Sequence, residues 1–208
     1  YLKGVDTSSG SGRVGYFAGC MTSLTPAVQR SMERIFAAAG VDVWYADREG
    51  GVCCGRPLML SGETDAARKM VECNRALFRK HDIETLVTSC PICLKVFKEE
   101  YNLEGIEVLH HTEYIARLIA SGELRVARDT HIYTYHDPCE LGRGCGIYDA
   151  PRNVIGAVGT LAEPKHNRRD ALCCGGSLAN TVINDGQQFR IAEQMTAELE
   201  ATGCDTIV

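Results

Sequence analysis

Apolar positions along this chain fall at two alternating spacings, and the alternation predicts strands joined by helices. The short apolar runs VGYFA from Val14, VDVWYA from Val41 and IETLV ending at Val87 are too brief for helices and rich in β-branched and aromatic residues. Runs of that kind read as buried strands. Between them the period lengthens. Thr25 and Pro26 make an N-cap and first-turn pair, and Val28, Met32, Ile35, Phe36 and Ala39 follow at helical spacing up to Gly40, a C-terminal stop. The spacing predicts another helix from about Thr64 to His81. The second half repeats the order with a strand IYTYH, a helix near Pro151 and a long final helix. Short strands joined by helical crossovers imply an α/β fold with parallel sheets, whose ligands collect in loops at the strands' C-terminal ends.

Three landmarks of the first half recur in the same order in the second. GYFAGC, ending at Cys20, corresponds to TYHDPC, ending at Cys139, and GGVCCGRPL corresponds to DALCCGGSL. RKMVECNRALFRKHDIETLV then corresponds to FRIAEQMTAELEATGCDTIV, which pairs Val87 with Val208. The chain therefore divides into a Ser- and Gly-rich linker over 1–13, a first unit over 14–125 and a pseudo-symmetric second unit over 126–208. In the first unit TSCPIC follows Val87, whereas the second stops at the matching valine, before any CxxC. Beginning with Tyr1, the sequence reads as a piece of something longer.

Composition changes this picture mainly through cysteine. At 208 residues, 45% of them hydrophobic and 24% charged, the chain has ample material for a core without covalent staples. Eleven cysteines, an odd number with no secretory signal ahead of them, point to a reducing, cytoplasmic setting and a metal role rather than a disulfide framework. A formal charge of −5 argues against nucleic acid, and Lys165, Arg168 and Arg169 read as a solvated loop. No apolar run approaches the roughly 18–20 residues that would span a bilayer.

Cys53 and Cys54 are adjacent and precede Gly55. Neighbouring residues of an extended chain point to opposite faces, so two such thiols converge only on a turn, which the glycine assists. Crowding both onto one tetrahedral zinc is awkward, whereas a multi-iron cluster offers them different metal atoms. A vicinal disulfide would be strained and easily reduced, and plain burial does not explain a CCG that occurs twice. Structural zinc on four of five thiols remains the competing reading.

Cys20, the Cys53-Cys54-Gly55 triplet and Cys90-Pro91-Ile92-Cys93 together resemble the cysteine-rich CCG domain. That family includes the heterodisulfide reductase catalytic subunit and iron-sulfur subunits of anaerobic glycerol-3-phosphate, glycolate and lactate oxidation. The resemblance implies a non-cubane 4Fe-4S cluster on Cys20, Cys53, Cys54, Cys90 and Cys93. For the second site, Cys139, Cys173 and Cys174, it leaves a second cluster, zinc or an empty site open. It further implies an electron-transfer component of an oxidoreductase, with a ferredoxin-like domain or subunit and a flavoprotein subunit as partners. Disulfide reduction at the cluster is one expected role and relay from a flavin dehydrogenase another, while a zinc-bound assembly module is the non-redox alternative.

Other residues receive plainer expectations. Cys73, with Met70 and Leu77, and Cys204, in the place of Ile83, are expected in the core, and Cys145 in a glycine-rich loop, with ligation of the second site as its alternative. His136 and Asp137 are expected to cap the loop backbone, against the alternative of serving a cluster or a proton relay. Arg56 and Arg143 neighbour the cysteine loops, His110 and His111 take a strand-end role, and Gly142, Gly144 and Gly146 are turn residues. No catalytic residue stands out.

Overall fold

Four consecutive buried residues, Val14–Phe17, form strand β1, the kind of uninterrupted apolar run that a strand covered on both faces requires. A computed structural model describes residues 13–51, 53–176 and 183–208 of the chain. In it β1 lies between β2 (Val43–Tyr45) and β3 (Thr85–Thr88), and β4 (Glu107–His110) extends the sheet beyond β3. All pairings are parallel. The crossovers are α1 (Pro26–Ala38) after β1, α2 (Arg56–Leu60) and α3 (Thr64–Lys80) after β2, and α4 (Pro91–Glu99) after β3; α5 (His111–Ser121) follows β4.

The second unit is built alike from β5 (Ile132–Thr134), α6 (Gly142–Cys145), α7 (Asp149–Val158), β6 (Thr160–Leu161), α8 (Asp185–Glu200) and β7 (Thr206–Ile207). Its parallel sheet runs β6-β5-β7, the order in which β2-β1-β3 stand in the first. The registers also agree. Val14 faces Val43 and Thr85, and its counterpart Tyr133 faces Leu161 and Thr206. The chain divides into two compact units between Arg125 and Val126.

Helix faces follow the sequence with two corrections. In α1, Thr25 is the N-cap and Pro26 the first helical residue, but the Thr25 hydroxyl makes no capping bond and Val28 is exposed; the buried residues are Met32 and Phe36. In α3, Ala67, Val71, Asn74 and Phe78 are buried, which leaves Cys73 exposed rather than in the core. One residue is about 100° of helix, so the choice between Cys73 and Asn74 turns the whole face. Cys204 is half-buried, with its thiol toward the Leu199 carbonyl at 3.8 Å.

The two cores differ in kind. The first is aromatic: Phe17, Phe97 and Tyr101 meet edge to face, with centroids 4.9 Å and 4.7 Å apart, and Phe78 packs beside them. Trp44 leans on Phe78 and stacks on the His81 ring at 4.4 Å. In the second unit, Arg152 on α7 donates two 2.7 Å hydrogen bonds to the carboxylate of Asp137 and others to Glu163. Among the described residues, no helix is long and apolar enough to cross a membrane.

Candidate metal centre

Parallel strands place their C-terminal ends on one sheet edge, and the first unit's cysteine loops leave from three neighbouring ends. Cys20 follows β1, Cys53 and Cys54 follow β2, and Cys90 and Cys93 follow β3. The Cys20 and Cys53 thiols are within hydrogen-bond reach, as are Cys54 and Cys93, and Cys93 and Cys90. With Cys53 and Cys54 adjacent in sequence, the five sulfur-bearing residues form one unbroken string. None of the eleven cysteines is in a disulfide.

The string is electrostatically crowded. Burial pushes the Cys53 thiol above its ordinary value, while the hydrogen bond from Cys93 pulls Cys54 below it. Cys93 is pushed far up by its hydrogen bonds to Cys54 and then Cys90. The string thus favours negative charge at Cys54 and opposes it at Cys53 and Cys93. Five thiols this close cannot all ionise unless a cation is present, and soft metal ions supply that charge while binding each sulfur. The donor set therefore fits an iron-sulfur cluster. Among the described residues, no three His, Cys, Asp or Glu side chains converge on the position of a single ion.

Local backbone devices set the loops. Gly55 has φ +88°, and its N–H points at the Cys53 sulfur at 3.4 Å. Gly19, at φ +88° and ψ 154°, lets the Cys20 loop pass over the next one: a Cβ there would lie 3.2 Å from the Cys93 sulfur. Gly19→Ala is expected to cost about 1–3 kcal/mol, because only glycine occupies that backbone region without strain. Urea unfolding of the metal-free protein measures it, and an unchanged midpoint would contradict the assignment. Cys90 is the N-cap of α4 and Cys93 lies in its first turn, beside backbone N–H groups that have no partner within the helix.

Asn74 and Tyr101 reach the Cys53–Cys54 turn from below. The Asn74 amide donates to the Cys53 carbonyl at 2.8 Å and to the Tyr101 hydroxyl at 2.7 Å, and that hydroxyl donates to the Cys54 carbonyl at 3.0 Å. Sequence reasoning missed both residues and Gly19. An amide at a core position of a helix was the available signal. Arg56 opens α2, with its backbone N–H toward the Cys54 sulfur.

His110 ends β4 and His111 opens α5, as a strand-end role requires. Burial, then the neighbouring His111, lowers His110 to about 2, and burial lowers His111 to about 4, so both rings are neutral at physiological pH.

In the second unit Cys139, Cys173 and Cys174 are all exposed. The turn repeats the first: Gly175 has φ +76°, and its N–H points at the Cys173 sulfur at 3.4 Å. His136 bonds the Leu172 carbonyl at 2.9 Å, and Arg143 donates to the carbonyls of Arg169 and Ala171. Asp137 accepts from Arg152 and from the Arg168 N–H. His136, Asp137 and Arg143 thus tie loop to loop, and Cys145 is half-buried at the end of α6. Gly142 is part of α6, where the Tyr148 ring leaves no room for a Cβ, and Gly146 turns the chain out of it at φ +72°.

Known proteins are similar to this chain over most of its length. It is 32% identical to an EtfAB:quinone oxidoreductase of Syntrophomonas wolfei over 92% of its length, which is 29% of that protein. It is 32% identical to an uncharacterized iron-sulfur protein of Methanocaldococcus jannaschii, covering 78% of this chain and 32% of the relative. A subunit of the dihydromethanophenazine:CoB--CoM heterodisulfide reductase of Methanosarcina barkeri is 28% identical over 77% of this chain and 42% of its own. The chain thus spans 29–42% of the length of these relatives. The pattern of the cysteine-rich domain, CCG, matches twice, over residues 14–98 and 133–208. The first match takes in β1, β2 and β3 with their cysteine loops and the second covers nearly all of the other sheet, and the chain belongs to the CCG cysteine-rich domain family.

Proposed function

We propose that the first unit holds an iron-sulfur cluster through Cys20, Cys53, Cys54, Cys90 and Cys93, and that the chain carries electrons as a component of an oxidoreductase complex. The observation that supports this most is the unbroken string of five thiols drawn from three loops on one sheet edge. Relatives named as an iron-sulfur protein, a quinone oxidoreductase and a heterodisulfide reductase subunit support the same reading. Such a cluster takes up and releases electrons singly. The protein's own part is to fix the sulfurs, to screen Cys54 and Cys93 from water, and to leave Cys20 exposed beside the exposed Met21 and Leu24. That open side suits an incoming partner or substrate.

The finer reading is a non-cubane four-iron form at which a disulfide is reduced. Two electrons, delivered one at a time by a ferredoxin-like partner, and two protons turn one disulfide into two thiols. Simple relay from a flavoprotein toward quinone is the second reading, favoured by the name of the Syntrophomonas wolfei relative. Cys139, Cys173 and Cys174 are proposed as a more open second site, for a further cluster or zinc.

Metal and sulfide analysis of protein purified without oxygen tests the proposal. Iron and acid-labile sulfide in comparable amounts are expected. Zinc at one ion per site with no labile sulfide would replace electron transfer with a structural role.

A further inference from the structure

Two successive carbonyls of an extended strand point to opposite sides, yet those of Cys53 and Cys54 are bound by one connected pair of side chains. Asn74 is 1% exposed and Tyr101 0%, and neither is wasted. The two N–H bonds of one amide nitrogen serve the Cys53 carbonyl and the Tyr101 oxygen, and the phenol passes its own hydrogen to Cys54. Burial raises the phenol's pKa, so it stays a donor. Asn74 lies in α3, and Tyr101 follows α4, the helix whose first turn carries Cys93. The chain of hydrogen bonds therefore links the Cys53–Cys54 turn to the element that presents Cys93.

Among the described residues, the second unit shows no such device. The repeat that aligns Cys73 with Gln194 puts Met195 opposite Asn74, and a thioether has no N–H to give. Its loop is held one and two residues before Cys173, at Leu172 and Ala171, by His136 and Arg143. Cys54 is buried, whereas Cys174 is exposed.

Resting on the cluster reading above, we infer that Asn74 and Tyr101 are positioning residues that lock the Cys53–Cys54 turn in its metal-binding shape, and that Met195 leaves the second turn unlocked. The lock acts before any metal arrives, because every bond in it is between protein groups. It also makes the two sites unequal. The first is preorganised and retains metal, and the second yields it readily.

The test compares wild type, Tyr101→Phe and Asn74→Met, the last copying the second unit. In metal-free protein, hydrogen exchange at residues 54–56 is expected to rise about tenfold or more in both variants, as the loss of a buried hydrogen bond allows. Exchange in β1 and β3 stays unchanged. After anaerobic reconstitution, iron is expected to pass from the variants to a chelator faster by a similar factor. Tyr101→Phe keeps the ring, so it remains informative if Asn74→Met fails to fold. Unaltered exchange at 54–56 alongside a lowered melting temperature would overturn the lock and make both residues ordinary core. A wild type that binds no iron and sulfide would overturn the cluster reading, while exchange in the metal-free chain still decides the lock.

Discussion

Replacing Cys53 and Cys54 together by alanine is expected to abolish iron and labile sulfide binding in the first unit and leave its fold in place. The two residues supply the middle of the thiol string, and without them Cys20 is cut off from Cys90 and Cys93. The remaining thiols cannot enclose a multi-metal cage from one side. The fold should survive because the aromatic core around Phe17, Phe78 and Phe97 does not depend on sulfur. Substitutions that remove two small side chains from a loop cost about 0.5–3 kcal/mol each at most. Iron and sulfide per chain, measured with circular dichroism on the same sample, decide the matter. Full iron content would remove these residues from the ligand set.

The second large effect concerns the ion pair of the second unit. Arg152→Leu is expected to destabilise that unit by about 3–5 kcal/mol, since it strands the Asp137 carboxylate where water cannot reach it. The side chains of Asp137 and Arg152 are 2% and 7% exposed. Asp137→Leu should cost less, because Arg152 keeps Glu163. The double variant Asp137→Leu with Arg152→Leu should fall well short of the summed single losses, as an uncharged pair leaves no buried charge behind. Urea unfolding followed by circular dichroism measures all three. Additive losses would show that the two side chains act separately.

Much of the architecture was legible because strand and helix periods differ so clearly here, and because the repeat fixed which loops correspond. The cysteine groups followed from the same repeat. Harder to read were the residues whose roles depend on a distant loop. Hydrophobicity favoured Cys73 over Asn74 for the buried face of α3, but Asn74 finds its partners in Cys53 and Tyr101, far along the chain. IYTYH looked like a five-residue strand, yet β5 ends at Thr134, and His136 and Asp137 turn away to bond Leu172 and Arg152. Gly19 carried no local sign that a neighbouring sulfur would sit 3.2 Å from its missing Cβ.

The stacking of Trp44 on His81 has a practical sequel. It is the chain's single tryptophan, and the rings it meets, Phe78 and His81, belong to the first unit. Its emission therefore follows the melting of one half only, whereas the amide signal registers both. Wherever the two curves part, they report how far the halves unfold independently, with no label added.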